Sequence, residues 1–290
     1  MRPVTVTVGP LATPSANNIC TTQTPTNQFA LNGTLATTSA TFTASIAGNT
    51  LVVTAVASGV IQIGQAISGI GVPANTFVVG PPSGPGQTTV AGGTGTYILS
   101  TSSTVSSTTL YANAVATLDT PRRILFTTSA NDSAKTATVV GTDYNGTPIT
   151  EVVSLTNVGT SYTNMDFKTV TSIYMSATAA GAITVGTNNV ASSMWVRLDE
   201  YAQPQTAIQL TVTGTVTYSV QQTLQDPNSP TNPVLPYQVT FLNSSDTAVV
   251  GASASAQSNY TYAPAYAKVT ITAGTGSVSG VFAQFGNAPY

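Results

Sequence analysis

The stretch ATVVGTDYNGTPITEVVSL (residues 137–155) contains two runs of alternating apolar and polar residues on either side of a short polar segment. A period of two in residues rich in Val, Ile and Thr is typical of β-strands. Asn145-Gly146 lies between the runs, and this dipeptide is a strong short-range signal for a hairpin because both residues tolerate the backbone of a tight turn. The stretch therefore predicts an antiparallel β-hairpin.

The same alternation recurs along the rest of the chain. Runs rich in Val, Ile, Thr and Tyr, bounded by Gly, Asn or Pro, occupy residues 49–56, 207–223 and 266–274, and each run predicts strands. No segment shows the 3.6-residue apolar period of an amphipathic helix of three turns. We therefore expect an all-β fold, built of β-sandwich or jelly-roll domains with an inserted small β domain.

Charged side chains are rare in this sequence. Only 6% of residues are charged, against about 25% in an average globular domain, and no Asp, Glu, Lys, Arg or His occurs between residues 3 and 118. Because 41% of residues are hydrophobic, the chain lacks the signature of disorder, which pairs low hydrophobicity with high net charge. Thr suits strands and hydrates an exposed face without charge. Such a surface favours packing against neighbours.

The composition disfavours two classes of partner. The net charge of −2 provides no basic stripe for nucleic acid. The apolar runs are only a few residues long, whereas a membrane-spanning helix needs about 18 or more. The first residues also lack the charged and apolar regions of a secretory signal. We expect neither nucleic acid nor a membrane as a partner.

The texture of the sequence changes along the chain. Residues 1–38 form a Pro/Asn/Thr-rich N-terminal arm with the first strands of a parent β domain, and residues 39–111 form a charge-free block with its own strands and turns. Charges return at Asp119, so we predict that 39–111 is an inserted small β domain and that 112–190 is the remainder of the parent β-sandwich. Residues 191–290 are expected to form a C-terminal β-sandwich. We expect the arm to extend over a neighbouring subunit and to order on assembly.

The inventory of reactive side chains argues against an enzyme. The chain has no histidine and one cysteine, Cys20, which excludes Ser-His-Asp and Cys-His triads, His-containing metal sites and an intrachain disulfide. Asp199 and Glu200 are adjacent and would face opposite sides of a strand, a poor arrangement for a catalytic acid and base. Residues 130–136 (ANDSAKT) offer oxygens for a weak Ca²⁺ site, or form a polar hairpin tip. We expect no catalytic, cofactor-binding or metal-binding residue.

Several side chains are candidates for contact with a partner: Arg2, Arg122, Arg123, Trp195, Tyr260 and Tyr262. The two adjacent arginines would meet an acidic surface, or one would point outward while the other pairs with Asp119 or Asp132. The two tyrosines share one face of a strand, where they would form a sugar-stacking platform, an interface or half-buried packing.

The sequence resembles the virion structural proteins of short-tailed bacteriophages (podoviruses), of the capsid decoration or cement type. The resemblance is carried by ATLDTPRRILFTTSANDSAKTATVVGTDYNGTPITEVVSL (116–155), MRPVTVTVGPLATPSANNI (1–19), YSVQQTLQDPNSPTNPV (218–234) and YAPAYAKVTITAGTGSVSG (262–280). It covers residues 1–35 and 113–290. The block between them resembles a module that recurs in phage and bacterial surface proteins.

This resemblance implies a role as well as a fold. It implies β-sandwich or jelly-roll domains, binding to the major capsid protein on the outer capsid surface of the virion, and a homo-oligomer, with a trimer as the first expectation. We expect the inserted domain to project outward, where it would either thicken the shell or contact host surfaces, with a host-surface glycan as a candidate partner. Two alternatives stay open: a tail or head fibre or adaptor component, and a carbohydrate-binding virion appendage. The resemblance implies no catalytic residue.

Overall fold

The computed structural model describes residues 3–80, 92–199 and 205–284, and nearly all regular structure in these ranges is β-strand. The strands of the first half are β1 (Val4–Val8), β2 (Ser15–Gln23), β3 (Ala36–Thr37), β4 (Ala40–Gly59), β5 (Ile67–Ser68), β6 (Val78–Gly80), β7 (Gly95–Ala112), β8 (Val115–Asn131), β9 (Thr136–Thr142) and β10 (Pro148–Ser154).

The second half continues the same architecture. Its strands are β11 (Asn157–Tyr162), β12 (Phe167–Met175), β13 (Ile183–Ser192), β14 (Val196–Arg197), β15 (Thr206–Thr213), β16 (Val216–Thr223), β17 (Leu242–Asn243), β18 (Val250–Ala252), β19 (Ala256–Tyr260), β20 (Tyr266–Gly274) and β21 (Ser277–Gln284). Within the described ranges the helical segments are two single 3₁₀ turns, Pro236–Gln238 and Thr247–Val249. The predicted all-β fold is confirmed, and the jelly-roll arrangement stays a prediction.

The predicted hairpin is present as antiparallel β9 and β10. Its turn differs from a two-residue turn, because Gly146 has a positive φ of 79° while Asn145 does not. The Gly146 amide donates to the Asp143 carbonyl, and Asp143 Oδ1 accepts from the amides of Asn145 (2.8 Å) and Thr147 (2.9 Å). This is the pattern of a three-residue loop ending in a left-handed glycine. The Asp143 carboxylate adds stability that the dipeptide signal did not include.

The largest sheet runs through the middle of the protein. Its main path is β10-β9-β12-β8-β13-β20-β16-β17, and β2, β3, β11, β14 and β18 pair with members of that path. Leu118, Ile124 and Phe126 of β8 are buried in a first hydrophobic core, which draws on segments between Ile19 and Val185. Tyr218, Val269 and Ile271 of β16 and β20 are buried in a second core. One continuous sheet thus contributes to two cores.

A second sheet, β1-β21-β15-β19, closes the second core. Strand β1 was predicted within the parent domain, but it pairs antiparallel with β21 near the C-terminal end of the described chain, with Val6 opposite Gly280. Val6 and Val8 are buried there. The alternating sequence of β1 specifies a strand with one apolar face. Such a strand can pair with any open sheet edge at which that face is buried against a core. Sequence pattern gave the strand but not its partner.

The segment that follows β1 is packed into the body of the protein. Strand β2 pairs with β13, and Ile19, Cys20, Phe29 and Leu31 are fully buried in the first core. We expected an N-terminal arm that extends over a neighbouring subunit. In this structure the apolar side chains of the segment are instead buried within their own chain.

The block at 39–111 has a sheet and a core of its own. The long strands β4 and β7 pair antiparallel with two register shifts, and the short strands β5 and β6, which lie between them in the chain, pair with β7. The third core, including Phe42, Leu51 and Leu110, consists of residues between Ala40 and Ala112. The block enters and leaves at one point, where the Ser39 amide donates to the Ala112 carbonyl over 2.9 Å.

Candidate functional site

Arg122 lies inside the protein rather than at its surface. Its side chain is 1% exposed, and Nη1 lies 3.4 Å from Asp119 Oδ1. Nη2 donates to the Ala12 carbonyl over 2.7 Å, and Asp119 Oδ2 accepts from the Ala12 amide over 2.6 Å. Burial lowers the pKa of Arg122, and the Asp119 charge opposes that shift. The pair therefore holds the N-terminal segment against β8. Because Arg122 is buried, its side chain is not accessible to another molecule in this structure.

Arg123, on the opposite face of β8, is half-buried. Its guanidinium lies 5.6 Å from the centre of the Tyr162 ring. Nearby, the buried Glu151 carboxylate accepts from the amides of Asn164 (2.6 Å) and Met165 (2.8 Å). Burial raises the pKa of Glu151, while these two hydrogen bonds and the Arg123 charge pull it down. Arg123 thus helps to balance a buried carboxylate and retains partial exposure.

The candidate calcium segment forms a polar turn closed by an ion pair. Lys135 Nζ lies 2.8 Å from Asp132 Oδ1, and the Ala180 amide donates to the same oxygen over 2.8 Å. Asn131 Oδ1 accepts from the amide and hydroxyl of Ser133. Across the residues that the structure describes, no cluster of three Asp, Glu, His or Cys side chains is suited to hold a metal ion.

The two tyrosines proposed as a platform have different environments. Tyr260 is 2% exposed, whereas Tyr262 is 39% exposed, and their ring centres lie 6.0 Å apart. Burial is the main cause that raises the pKa of Tyr260. Tyr262 Oη is hydrogen-bonded to Gln222 Nε2. Only Tyr262 therefore offers a ring at the surface. Arg2 and Glu200 lie outside the described residues.

Trp195, the only tryptophan, lines a cleft of about 330 Å³ between the first and second cores. Its ring packs edge-on against Phe241 at 4.8 Å and against Tyr266 at 5.7 Å between ring centres. We call this feature the Trp195 cleft. Its volume lies in the range of small-molecule pockets, about 300–1,000 Å³.

A buried ion pair lines the Trp195 cleft. Asp166 Oδ2 and Lys268 Nζ are 4.0 Å apart, with side chains 10% and 8% exposed. Asp166 Oδ1 is buried and has no hydrogen-bond partner among the described residues. Lys268 Nζ lies 4.4 Å from the centre of the Phe241 ring. Burial raises the pKa of Asp166 and lowers the pKa of Lys268, and each charge opposes the shift of the other. The Ser192 side chain, which also lines the cleft, is hydrogen-bonded to the Asp166 carboxylate and further opposes the shift of Asp166.

The mouth of the cleft is built from two connecting segments. The β9–β10 turn contributes Tyr144, whose side chain is exposed, and Asn145. The long connection between β16 and β17 contributes Asn228, whose Nδ2 donates to Tyr266 Oη over 2.9 Å. This contact ties the connection to the aromatic wall, so the cleft has one rim from each half of the protein.

Sequence reasoning singled out Trp195 but missed the residues gathered around it. Asp166, Phe241 and Lys268 lie on separate segments and carry no shared motif. The isolated Trp and the nearby Tyr-rich segment at 260–266 were the available signals. Neither signal specifies which distant carboxylate and ammonium they meet.

The outer surface is poor in ions. Among the charged residues that the structure describes, Asp119, Arg197 and Asp199 are exposed, and the others are half-buried or buried. Large apolar side chains are exposed on β10 and β11 instead: Val152 is 60% exposed, Val158 64% and Tyr162 51%. Most of the few charges thus lie against the protein interior.

Comparison with protein-family models, with curated proteins and with solved structures finds no match. In the described part of the chain, no helix is long and apolar enough to cross a membrane.

Proposed function

We propose that this protein is a non-enzymatic bacteriophage virion structural protein, a capsid decoration (cement) protein. It binds the major capsid protein on the outside of the head as a homo-oligomer, with a trimer as the first expectation. The observation that carries the proposal is the ion-poor surface: the exposed side chains of β10 and β11 include Val152, Val158 and Tyr162, while most charges of the described chain are buried or half-buried.

The physical reason is the cost of removing charges from water. A protein contact that covers an unpaired ion loses several kcal/mol of binding free energy, because the ion leaves water without gaining a partner. Apolar groups carry no such penalty, and their burial contributes about 25 cal/mol per Å². A hydroxyl that finds a hydrogen-bond partner in the contact loses less than an unpaired ion does. A surface with few ions is therefore suited to being covered on several sides, as it would be on a lattice of capsid subunits.

Binding to the assembled shell would stabilise it by mass action. A protein that binds the mature lattice and not its separated subunits lowers the free energy of the assembled state, by an amount that grows with the number of sites occupied. No bond is made or broken, which agrees with the lack of histidine and the single cysteine in the sequence.

The test compares phage particles with and without this protein. Heating both while measuring DNA release should show release at a lower temperature from particles that lack it. Equal release temperatures would contradict a cementing role. Copy number, measured from stained gels of purified particles, separates the alternatives: a decoration protein is present in on the order of hundreds of copies, and a tail or fibre component in on the order of dozens or fewer.

A further inference from the structure

We propose that the Trp195 cleft is a binding site for a neutral saccharide. The proposal concerns the interior of the chain between its first two cores, and it goes beyond attachment to a capsid. It also differs from the Tyr260 and Tyr262 platform considered from the sequence, because Tyr260 is buried.

The aromatic wall supplies the surface on which a sugar ring packs. Trp195 is half-buried, and it meets Phe241 and Tyr266 edge-on rather than face-to-face. These T-shaped contacts hold the indole in place, and neither neighbouring ring stacks parallel to it. Tyr144 adds an exposed ring at the mouth. Rigid aromatic surfaces beside a few placed polar groups are the usual composition of a small-molecule site.

The buried ion pair supplies complementary hydrogen-bonding groups. Asp166 Oδ1 is an acceptor that has no partner among the described residues, and buried polar atoms in proteins are nearly always paired. Lys268 Nζ stands 4.0 Å from Asp166 Oδ2, beyond hydrogen-bonding distance, and carries three donor hydrogens. A hydroxyl both donates and accepts. Adjacent hydroxyls of one ligand would satisfy the carboxylate and the ammonium together.

The charge balance favours a ligand without net charge. The carboxylate of Asp166 and the ammonium of Lys268 offset each other, so an anionic ligand would face Asp166 and a cationic ligand would face Lys268. Arg123 is another charged group nearby, and its charge lowers the pKa of both Asp166 and Lys268. Asp143 at the rim already accepts two backbone amides of its own turn. Hydroxyls, rather than a phosphate or an amine, match this site.

The amide side chains at the mouth extend the same chemistry. Asn145 and Asn164 line the cleft, and both are exposed. Asn228 lines it from the opposite rim. An amide presents two donors and an acceptor that bond to sugar hydroxyls or to an acetamido group. The mouth is therefore suited to a second sugar unit, and a disaccharide should bind more tightly than its monosaccharide.

The experiment uses the emission of Trp195, which is the only tryptophan and lies in the cleft. The purified full chain is titrated with neutral probes (glucose, galactose, rhamnose, N-acetylglucosamine, lactose, maltose and cellobiose) and with glucuronate and glucosamine as charged counterparts. We expect a saturable change in emission with at least one neutral probe and weaker binding of its charged counterparts. Absence of any saturable change with the neutral probes, or preference for a charged one, overturns the proposal.

Variants then assign the binding to the cleft. Asp166→Asn keeps the size of the side chain but replaces an acceptor oxygen with a donor, so binding should weaken at least about tenfold. Tyr144→Ala removes an exposed ring at the mouth and should weaken binding several-fold while the melting temperature stays unchanged. Tyr262→Ala, an exposed ring outside the cleft, is the matched control and should bind as the parent does.

The variants also decide against the proposal if it is wrong. If Asp166→Asn lowers the melting temperature too far for a titration, Tyr144→Ala decides the question alone. Unchanged binding by Tyr144→Ala together with loss of binding by Tyr262→Ala would assign the sugar to the tyrosine platform and overturn the assignment of this cleft.

Discussion

Arg122 donates from Nη2 to the carbonyl of Ala12 over 2.7 Å. The contact joins a central strand of the largest sheet to the segment between β1 and β2. Asp119 completes it by accepting from the Ala12 amide and facing the guanidinium. A side chain that the sequence offered as a surface contact therefore holds two distant segments of one chain together.

Replacing this guanidinium should destabilise the protein. In Arg122→Met the Ala12 carbonyl loses its side-chain donor and Asp119 Oδ1 loses the guanidinium, while Asp119 Oδ2 keeps the Ala12 amide. The free energy of unfolding should therefore fall by about 1.5–3 kcal/mol, the range for hydrogen bonds to a charged group. Urea unfolding followed by circular dichroism measures the change. The matched control is Arg197→Met, whose parent side chain is 65% exposed and 3.6 Å from Asp226, and it should lose about 1 kcal/mol or less. Equal losses in the two variants would contradict the structural role of Arg122.

The strands were accessible from sequence because their signal is local. In β9, β10 and β20 successive side chains point to alternate faces of the sheet. This alternation has a period of two residues, so a window of a few residues is enough to recognise it. The hairpin at Asn145-Gly146 is local in the same sense. Its stabilisation by Asp143 was missed, since the dipeptide signal does not include the side chain that caps the loop.

The pairing of distant segments was not accessible in the same way. The apolar face of β1 is compatible with any open edge of matching register, and only the assembled second core selects β21. The Trp195 cleft has the same difficulty, because Asp166 and Lys268 meet through the packing of two cores. A single sequence does not specify which of its distant residues come into contact when the cores pack.

Removing the block at 39–111 should leave the rest of the chain folded. Its core is made of its own residues, and its ends meet through the Ser39–Ala112 hydrogen bond, so joining Thr38 to Ala112 closes a short gap. We expect the shortened chain to melt cooperatively, within a few degrees of the parent transition that belongs to the first and second cores. Under the proposed function, it should also retain capsid attachment.

A point substitution in the same block provides the control for that deletion. Leu51→Ala opens a cavity in the third core, where Leu51 is fully buried, and should cost that core about 2–5 kcal/mol. Scanning calorimetry should show the loss in one transition while the other is unchanged. A shortened chain that fails to fold, or a Leu51→Ala chain in which every transition shifts equally, would contradict the independence of the block.

The raised pKa of Asp166 predicts how stability depends on pH. Burial raises it above its ordinary value of 3.8, so the folded state binds this proton more tightly than the unfolded state does. Its contribution to the free energy of unfolding is absent well above the folded pKa. It grows as pH falls through that pKa and is complete below about 3.8. The parent should therefore gain stability relative to Asp166→Asn as the solution is acidified.

Thermal melts from about pH 7 to about pH 4 measure this difference. The gap in melting temperature between parent and variant should widen in favour of the parent as pH falls. A gap that narrows over the same interval would mean that the folded pKa is lowered rather than raised, with Lys268 outweighing the loss of hydration. Lys268→Met provides a second check: without the ammonium the pKa of Asp166 should rise further, and the gain on acidification should begin at a higher pH.

Cys20 reports whether the N-terminal segment is held in place before assembly. It is fully buried in β2, where it pairs with Val185 of β13, and burial raises the pKa of its thiol well above the ordinary value. Because the thiolate is the reactive form, an aromatic disulfide reagent should not label the folded chain over minutes, and should label it fully in concentrated urea. Cys20→Ala gives the background. Rapid labelling in plain buffer, with protection on binding to capsids, would instead show an arm that orders only on assembly, because β2 would then be detached from β13 in the free protein.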